Sequence, residues 1–138
     1  MSRSNEQVVE RLIQCINERR IEVMDELFHE EAIMHWPQSG EQVIGGDNRR
    51  AIYGAFPQLP TITARRMLSA GDLVIAEASL DYAGPVFETV FIFELRDGKI
   101  ARETAYWSEP FEPPAWRSEW VTVAGSEDAR QEAVVGRD

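Results

Sequence analysis

Four consecutive β-rich segments fill the second half of the chain and constrain its fold more than any other feature. They cover residues 61–68, 73–82, 86–95 and 100–109, and only three or four residues separate each segment from the next. Strands joined by such short turns pair as antiparallel neighbours, because a parallel connection needs a dozen or more residues. The second half is therefore predicted to form an antiparallel meander.

Helical periodicity dominates the first half of the chain. A capping-box pattern, S-x-x-Q, precedes an apolar stripe with helical spacing. Shorter helices are predicted over residues 21–28 and 48–56, the second with Asp47 as its N-cap, and a short strand over residues 32–36. Helices followed by a meander predict an α+β domain, with the N-terminal helices packed on one face of a strongly curved antiparallel sheet.

Length and charge limit what such a domain can do. The chain has 138 residues, which predicts a single domain over residues 1–117 and a C-terminal extension over residues 118–138 that is partly disordered. Acidic residues outnumber basic ones by 24 to 14, for a net charge of −10, which argues against binding to nucleic acid or an anionic membrane.

Cysteine, histidine and apolar runs exclude further classes. One cysteine, Cys15, allows no internal disulfide, and His29 and His35 lack a recognised metal-ligand spacing, so neither a metal nor a cofactor is expected. No apolar run exceeds four residues, and the N-terminus lacks the apolar stretch of a signal peptide. A cytoplasmic protein is the resulting expectation.

The register of the last strand decides which of its side chains face the helices. A two-residue turn at Asp97 and Gly98 would place Arg102 on the aromatic face of the sheet. A three-residue loop, with Gly98 in the left-handed conformation of a bulge, would instead turn Glu103 inward, opposite Phe91. The second arrangement is favoured, because burying an arginine among phenylalanines is the more costly choice.

Two titratable residues are candidates for catalysis. An inward-facing Glu103 would have a pKa raised by desolvation and could act as a general acid or base. A structural role remains open, as a carboxylate hydrogen-bonded to an arginine such as Arg65 or Arg66 or to a backbone group, or as one at the wet rim of the sheet. His35 lies in an apolar stretch and is either a proton carrier lining a pocket or a core histidine with satisfied hydrogen bonds.

The order and spacing of several short motifs resemble a SnoaL-like protein of the nuclear transport factor 2 superfamily. The motifs are L-F-H-E-E-A at residues 27–32, H-W-P at 35–37, S-G-E at 39–41, G-G at 45–46, D-G-K-I at 97–100, Glu103, and Y-W at 106–107. The resemblance covers residues 4–117. It implies a cone-shaped α+β barrel with a largely apolar pocket, commonly dimeric through the outer face of the sheet.

Members of that superfamily include polyketide cyclases, ketosteroid isomerases, epoxide hydrolases, dehydratases and non-catalytic binding domains, so the fold does not define the activity. The resemblance places the polar triad of the epoxide hydrolases at Ala78, Leu80 and Ala105, all apolar here. What the resemblance still matches is His35, at a position that often faces the pocket in the family, and Glu103 with Trp107 on the last strand.

Two functional hypotheses follow. In the first, His35 and Glu103 move protons on a small hydrophobic or aromatic ketone during isomerisation, cyclisation or dehydration, without a cofactor or a metal. In the second, the same pocket binds a hydrophobic ligand, or the domain only dimerises, without turnover. The expected ligand-binding residues are Ile33, Tyr53, Phe56, Leu80, Phe87, Phe91 and Trp107.

Two features of the surface are also predicted. The outer face of the sheet is expected to carry an apolar patch, with Val90, Ile92 and Tyr106, through which a homodimer forms. The aromatic residues Phe111 and Trp116, and with them Trp120, are expected to fold back over the mouth of the cone as a lid.

Overall fold

The computed structural model describes residues 4–124. Three helices, six strands and one short 3₁₀ helix occupy this range. They are α1 (Asn5–Asn17), α2 (Ile21–Asp25), β1 (Phe28–Trp36), β2 (Glu41–Ile44), α3 (Gly46–Ala55), β3 (Thr61–Ala70), β4 (Leu73–Asp81), β5 (Val86–Arg96), β6 (Lys99–Ser108) and the 3₁₀ helix (Ala115–Trp120).

All six strands belong to one open sheet, in the order β2-β1-β6-β5-β4-β3. The predicted meander is confirmed, because β3 to β6 pair antiparallel in sequence order. The sheet as a whole is mixed, however, because β1 lies parallel to β6. That pairing is possible because the chain runs through the whole meander before β6 returns to the side of β1.

The helices cover one face of this sheet, and the core lies between the two layers. Helix α1 begins with the predicted capping box, in which Ser4 accepts a hydrogen bond from the Gln7 amide and Gln7 bonds back to Ser4. The buried side of α1, with Val9 and Leu12 almost fully enclosed, packs against the apolar inner face of the strands. This α+β cone confirms the predicted fold class.

Two local predictions about the helices are wrong. Helix α2 ends at Asp25, well before residue 28, because Phe28 already pairs with Ile100 as the first residue of β1. Asp47 does not cap α3: the residue before that helix is Gly45, and Asp47 lies in the first turn, where its carboxylate pairs with Arg50.

The β5–β6 hairpin places Glu103 on the inner face of the sheet, as predicted, but its local structure differs from the predicted one. Arg96 pairs with Lys99 across a two-residue turn of Asp97 and Gly98, both with positive φ, so the predicted three-residue loop is wrong. Ala101 is instead an extra residue in β6, because Leu95 pairs with Ile100 while the next pair is Glu94 with Arg102. This bulge turns Glu103 inward as expected, but opposite Phe93 and not opposite Phe91.

The segment after β6 does not form the predicted lid. Phe111, Trp116 and Trp120 are 74–76% exposed, and the 3₁₀ helix buries none of its residues. Prolines at 113 and 114 hold the connection extended, so these rings are carried away from the sheet. Residues 125–138 of the predicted C-terminal extension lie outside the described residues. Every helix within residues 4–124 is too short or too polar to cross a lipid bilayer.

Candidate functional site

A mainly apolar cavity of about 50 Å³ lies between the helices and the inner face of the sheet. It adjoins a wider groove of about 510 Å³, with which it shares four lining residues, all aromatic. The lining of the cavity consists of Leu12, Ile13, Ile16, Trp36, Tyr53, Phe56, Leu59, Pro60, Ile62, Leu80, Tyr82, Phe91, Phe93, Glu103 and Trp107. A concave, mainly apolar space with a few polar groups is the usual form of a small-molecule site.

Glu103 is the charged member of this lining. It lies in β6 between Met34 of β1 and Phe93 of β5, and is only 5% exposed. Its carboxyl group has no hydrogen-bond or ion-pair partner among residues 4–124. Burial raises the pKa of Glu103 to about 7, although the positive charge of Arg49 acts in the opposite direction.

The arginines considered as structural partners of this carboxylate are engaged elsewhere. Arg65 pairs with Glu88, and Arg66 pairs with Glu77, both at exposed positions. The structural alternative, in which Glu103 is neutralised by one of them, is therefore not found. A buried carboxylate that faces a cavity without a fixed counter-charge is able to exchange a proton near neutral pH.

Two phenol groups accompany this carboxyl group. Tyr53 of α3 is partly exposed, but its hydroxyl lies deep enough that burial, and then the charge of Glu103, raises its pKa. Burial likewise raises the pKa of Tyr82, whose ring contacts Phe87 edge-on at a centroid distance of 5.4 Å. Neither hydroxyl has a hydrogen-bond partner within the described part of the chain. Both phenols stay protonated at neutral pH and can donate to a bound oxygen atom.

A buried ion pair lies behind this site, between α2 and α3. Arg49 is 1% exposed, and its Nε donates to Asp25 Oδ1 at 2.8 Å. Its guanidinium lies 4.6 Å from the centre of the Phe28 ring, and Nη1 donates to the His29 carbonyl at 3.4 Å. Burial alone would raise the pKa of Asp25, but hydrogen bonds from Arg49 and Arg50 lower it overall.

Sequence reasoning missed this ion pair, although one signal was available. Arg49 precedes Ile52, Tyr53 and Phe56 by three, four and seven residues, which is the spacing of one helix face. Since Tyr53 and Phe56 line the cavity, an arginine on the same face had to be buried as well. A buried arginine requires an acid, and Asp25 at the end of α2 provides it.

The structure does not bring His35 and Glu103 together. Met34 and Trp36 of β1 face the interior, so the alternating side chain of His35 lies on the outer face of the sheet. There, His35 Nδ1 lies 3.3 Å from Arg102 Nη2. The expectation that both residues line one cavity is not met, because the pleat of β1 directs them to opposite sides.

The other predicted ligand-binding residues divide in a similar way. Ile33 also lies on the outer face, where it pairs with Ile44 and Arg102, and it does not line the cavity. Phe87 lines the adjoining groove. The remaining five predicted residues line the cavity itself: Tyr53, Phe56, Leu80, Phe91 and Trp107. Sequence reasoning missed Trp36, whose ring meets that of Trp107 edge-on at 5.4 Å.

The described residues offer neither a set of metal ligands nor the polar triad that activates water in the epoxide hydrolases. Residues 4–124 contain no group of three histidine, cysteine or acidic side chains that could hold a metal ion. The positions that the resemblance assigns to a water-activating triad, Ala78, Leu80 and Ala105, are at most 2% exposed and apolar. Proton transfer by the Glu103 carboxyl group, assisted by the two phenols, is what the arrangement can do chemically.

Helices packed on one face of an open, curved sheet around an apolar cavity define the class of nuclear transport factor 2-like proteins. A family model describing a SnoaL-like domain matches residues 9–103. The chain belongs to this SnoaL-like family. A search of curated proteins gives no match.

Similar solved structures agree with this assignment. An NTF-2 like protein of unknown function from Burkholderia xenovorans LB400 is 35% identical, with a TM-score of 0.78 over 88% of this chain and 95% of that chain. A candidate ketosteroid isomerase from Kribbella flavida DSM 17836 is 24% identical, with a TM-score of 0.81 over 89% and 91% of the two chains. A candidate SnoaL-like polyketide cyclase from Shewanella putrefaciens CN-32 is 12% identical, with a TM-score of 0.66 over 78% and 91%. The last two likenesses concern the fold alone.

Proposed function

We propose that this protein is an acid–base catalyst for a small, largely apolar carbonyl compound, in a reaction such as isomerisation, cyclisation or dehydration. The proposal depends on one observation: Glu103 faces a mainly apolar cavity without a partner, and its pKa is raised to about 7. A catalytic acid or base is most effective when its pKa lies near the working pH. Glu103 meets this condition at neutral pH.

The reaction would begin with proton transfer at the carbon next to the carbonyl group. The ionised Glu103 carboxylate removes that proton, the electron pair of the broken C–H bond forms a C=C bond to the carbonyl carbon, and the π pair of the C=O bond moves onto the carbonyl oxygen. Tyr53 and Tyr82 donate hydrogen bonds to this oxygen as negative charge develops on it. Where the ketone carries a C=C bond beside the ionised carbon, the protonated Glu103 returns the proton to the far carbon of the resulting dienolate, the C=O bond re-forms, and the C=C bond moves into conjugation with it, which completes an isomerisation with all atoms conserved.

The lining also limits the substrates. Its walls are aromatic and aliphatic, and its one charged side chain is acidic. An anionic substrate would therefore meet repulsion from Glu103 in a medium of low dielectric constant, whereas a neutral ketone would not. His35 has no part in this proposal, because it lies on the other face of the sheet.

Hydrogen exchange on model ketones tests the proposal. Incubation of the full chain in D₂O with small cyclic and aryl ketones should incorporate deuterium beside the carbonyl, as followed by proton NMR. Glu103→Gln should lower the exchange rate by about 10²–10⁴-fold, the usual contribution of a general base. Glu94→Gln is the matched control, because Glu94 is an exposed carboxylate of β5 outside the cavity, and it should keep the wild-type rate.

A second function is favoured by a different observation. The triad positions Ala78, Leu80 and Ala105 are apolar and buried, which suits a cavity that only holds a ligand. In that case the cavity would bind hydrophobic molecules without converting them. Ligand binding with no deuterium exchange above the buffer rate, in both the wild type and Glu103→Gln, would select this function over catalysis.

We also propose that two copies of the chain associate through the outer face of the sheet. Leu68, Ile75 and Ile92 lie side by side there on neighbouring strands, and Tyr106 is 42% exposed. Ion pairs such as that between Arg102 and Glu94 border the patch. Exposed apolar surface with a charged rim is typical of an interface.

A further inference from the structure

The composition of the cavity lining suits a ligand of a second chemical class. Seven of its residues are aromatic, among them Trp36, Trp107, Phe91 and Phe93. Glu103 is its one acidic side chain, and no lysine, arginine or histidine belongs to the lining among the described residues. The lining is thus electronegative, and its carboxylate residue is only 5% exposed.

Two physical effects attract a cation to such a place. The faces of aromatic rings carry partial negative charge and bind ammonium groups, the more strongly when both are shielded from water. A buried carboxylate without a partner is unfavourable in its ionised form, and a cation placed beside it removes that penalty. Within residues 4–124, no side chain supplies this cation to Glu103 through an ion pair.

We propose that the cavity binds a small organic cation, an alkylated ammonium group, with Glu103 as its counter-ion and the surrounding aromatic rings as its walls. The cavity volume of about 50 Å³ restricts the charged head to a few heavy atoms. The adjoining groove of about 510 Å³ leaves room for a short tail. This binding does not require the proposed proton transfer, so either proposal can fail alone.

Binding of the cation should depend on pH in a defined direction. A bound positive charge favours the ionised carboxylate, so binding displaces the proton that Glu103 carries below a pKa of about 7. The charge of Arg49 acts on Glu103, and that of Glu103 acts on Tyr53, while Tyr82 lines the same cavity. The two phenols stay protonated through this range. Affinity should therefore rise with pH and level off above the pKa of Glu103.

Isothermal titration calorimetry on the full chain tests this inference with choline and its neutral carbon isostere, 3,3-dimethylbutanol. The two molecules share shape and differ in charge. At about pH 8, choline should bind at least about tenfold more tightly than the isostere. Choline affinity should fall between about pH 8 and about pH 6, with proton release on binding, whereas that of the isostere should not.

Glu103→Gln identifies the counter-ion, and Glu94→Gln again serves as the control on the outer face. The first variant should lose both the preference for choline and its pH dependence, and the control should keep both. Equal affinity of wild type for the two probes overturns the proposal, as does the lack of any choline binding at millimolar concentration. Choline binding unchanged in Glu103→Gln also overturns it. The isostere comparison needs no variant and therefore holds even if Glu103→Gln folds poorly.

Discussion

Arg49 Nε and Asp25 Oδ1 lie 2.8 Å apart and join α3 to the end of α2 behind the cavity. The two partners are not equally dependent on each other. Arg49 is 1% exposed and has Asp25 as its one acidic partner among the described residues. Asp25 is more exposed and also pairs with Arg50 at 2.8 Å.

Removing the acid should therefore destabilise the protein more than removing the base. Asp25→Ala leaves Arg49 buried without a counter-ion and should lower the free energy of unfolding by about 3–5 kcal/mol. Arg49→Met keeps the packing against Phe28 and leaves Asp25 bonded to Arg50, so the loss should be about 1–2 kcal/mol. Urea denaturation of both variants measures the difference. Equal losses of unfolding free energy in the two variants would contradict the conclusion that Arg49 depends on Asp25 more than Asp25 depends on Arg49.

The raised pKa of Glu103 predicts how stability changes with pH. Its folded pKa of about 7 exceeds the ordinary value of 4.5, so the folded chain holds this proton more tightly than the unfolded chain. The contribution of this bound proton to the free energy of unfolding is fully present below about pH 4.5 and is lost as the pH rises through 7. Its total size is on the order of 3 kcal/mol. Glu103→Gln has no such proton to lose.

Comparing the wild type with Glu103→Gln isolates the effect of Glu103 on stability. The lowered pKa values of Asp25, Glu30 and Glu31 affect both proteins alike. Urea denaturation at about pH 5 and about pH 8 should show Glu103→Gln gaining stability over wild type at the higher pH. A difference between the two proteins that does not change with pH would count against a buried, unpartnered carboxylate.

Replacing each of two glycines by alanine should change the stability of the protein in opposite directions. Gly98 has a φ of 77° in the two-residue turn, a conformation that alanine adopts only with strain. No atom lies within 4 Å of the position of an added Cβ, so there is no steric clash. Backbone strain alone should therefore make Gly98→Ala destabilising by about 1–2 kcal/mol. Gly54 lies within α3 with open space around it, so Gly54→Ala should stabilise by about 0.5 kcal/mol. Thermal or urea unfolding gives both signs, and a destabilising Gly54→Ala would be inconsistent with its described surroundings.

The proposed dimer has a direct test in sedimentation velocity. A specific interface usually buries about 800 Å² on each partner, and a charge in its middle is strongly unfavourable. The wild-type chain should sediment as a dimer at about 10–100 μM, and Ile92→Asp should sediment as a monomer. Val121→Asp changes an exposed apolar residue that belongs to none of the six strands, and this variant should stay dimeric. A monomeric wild type would refute the interface.

Side-chain alternation made the interior of the sheet predictable. The inward positions of Leu80, Phe91 and Trp107 follow from the alternation of side chains along each strand. Burial of Arg102 among the phenylalanines was unfavourable whichever turn joined β5 to β6. Glu103 was therefore assigned to the correct face even though the turn was wrong. One extra residue before it, whether in the turn or as the Ala101 bulge, produces the same parity.

Pairing between distant segments was not predictable in the same way. The parallel contact of β1 with β6 joins segments that are about 70 residues apart, and nothing local in either strand specifies it. The face assignment of His35 failed for a related reason. Ile33, Met34 and Trp36 around it are all apolar, so the local pattern does not tell which face of β1 is buried.

The protonation state of Glu103 is the most direct test of the account as a whole. Carbon-13 NMR of the full chain with labelled glutamate, assigned by comparison with Glu103→Gln, measures its pKa without any substrate. The cavity described here predicts a carboxyl group that titrates at about 7. A Glu103 that titrates near the ordinary value of 4.5 would contradict the buried, unpartnered carboxylate on which the proposed function depends.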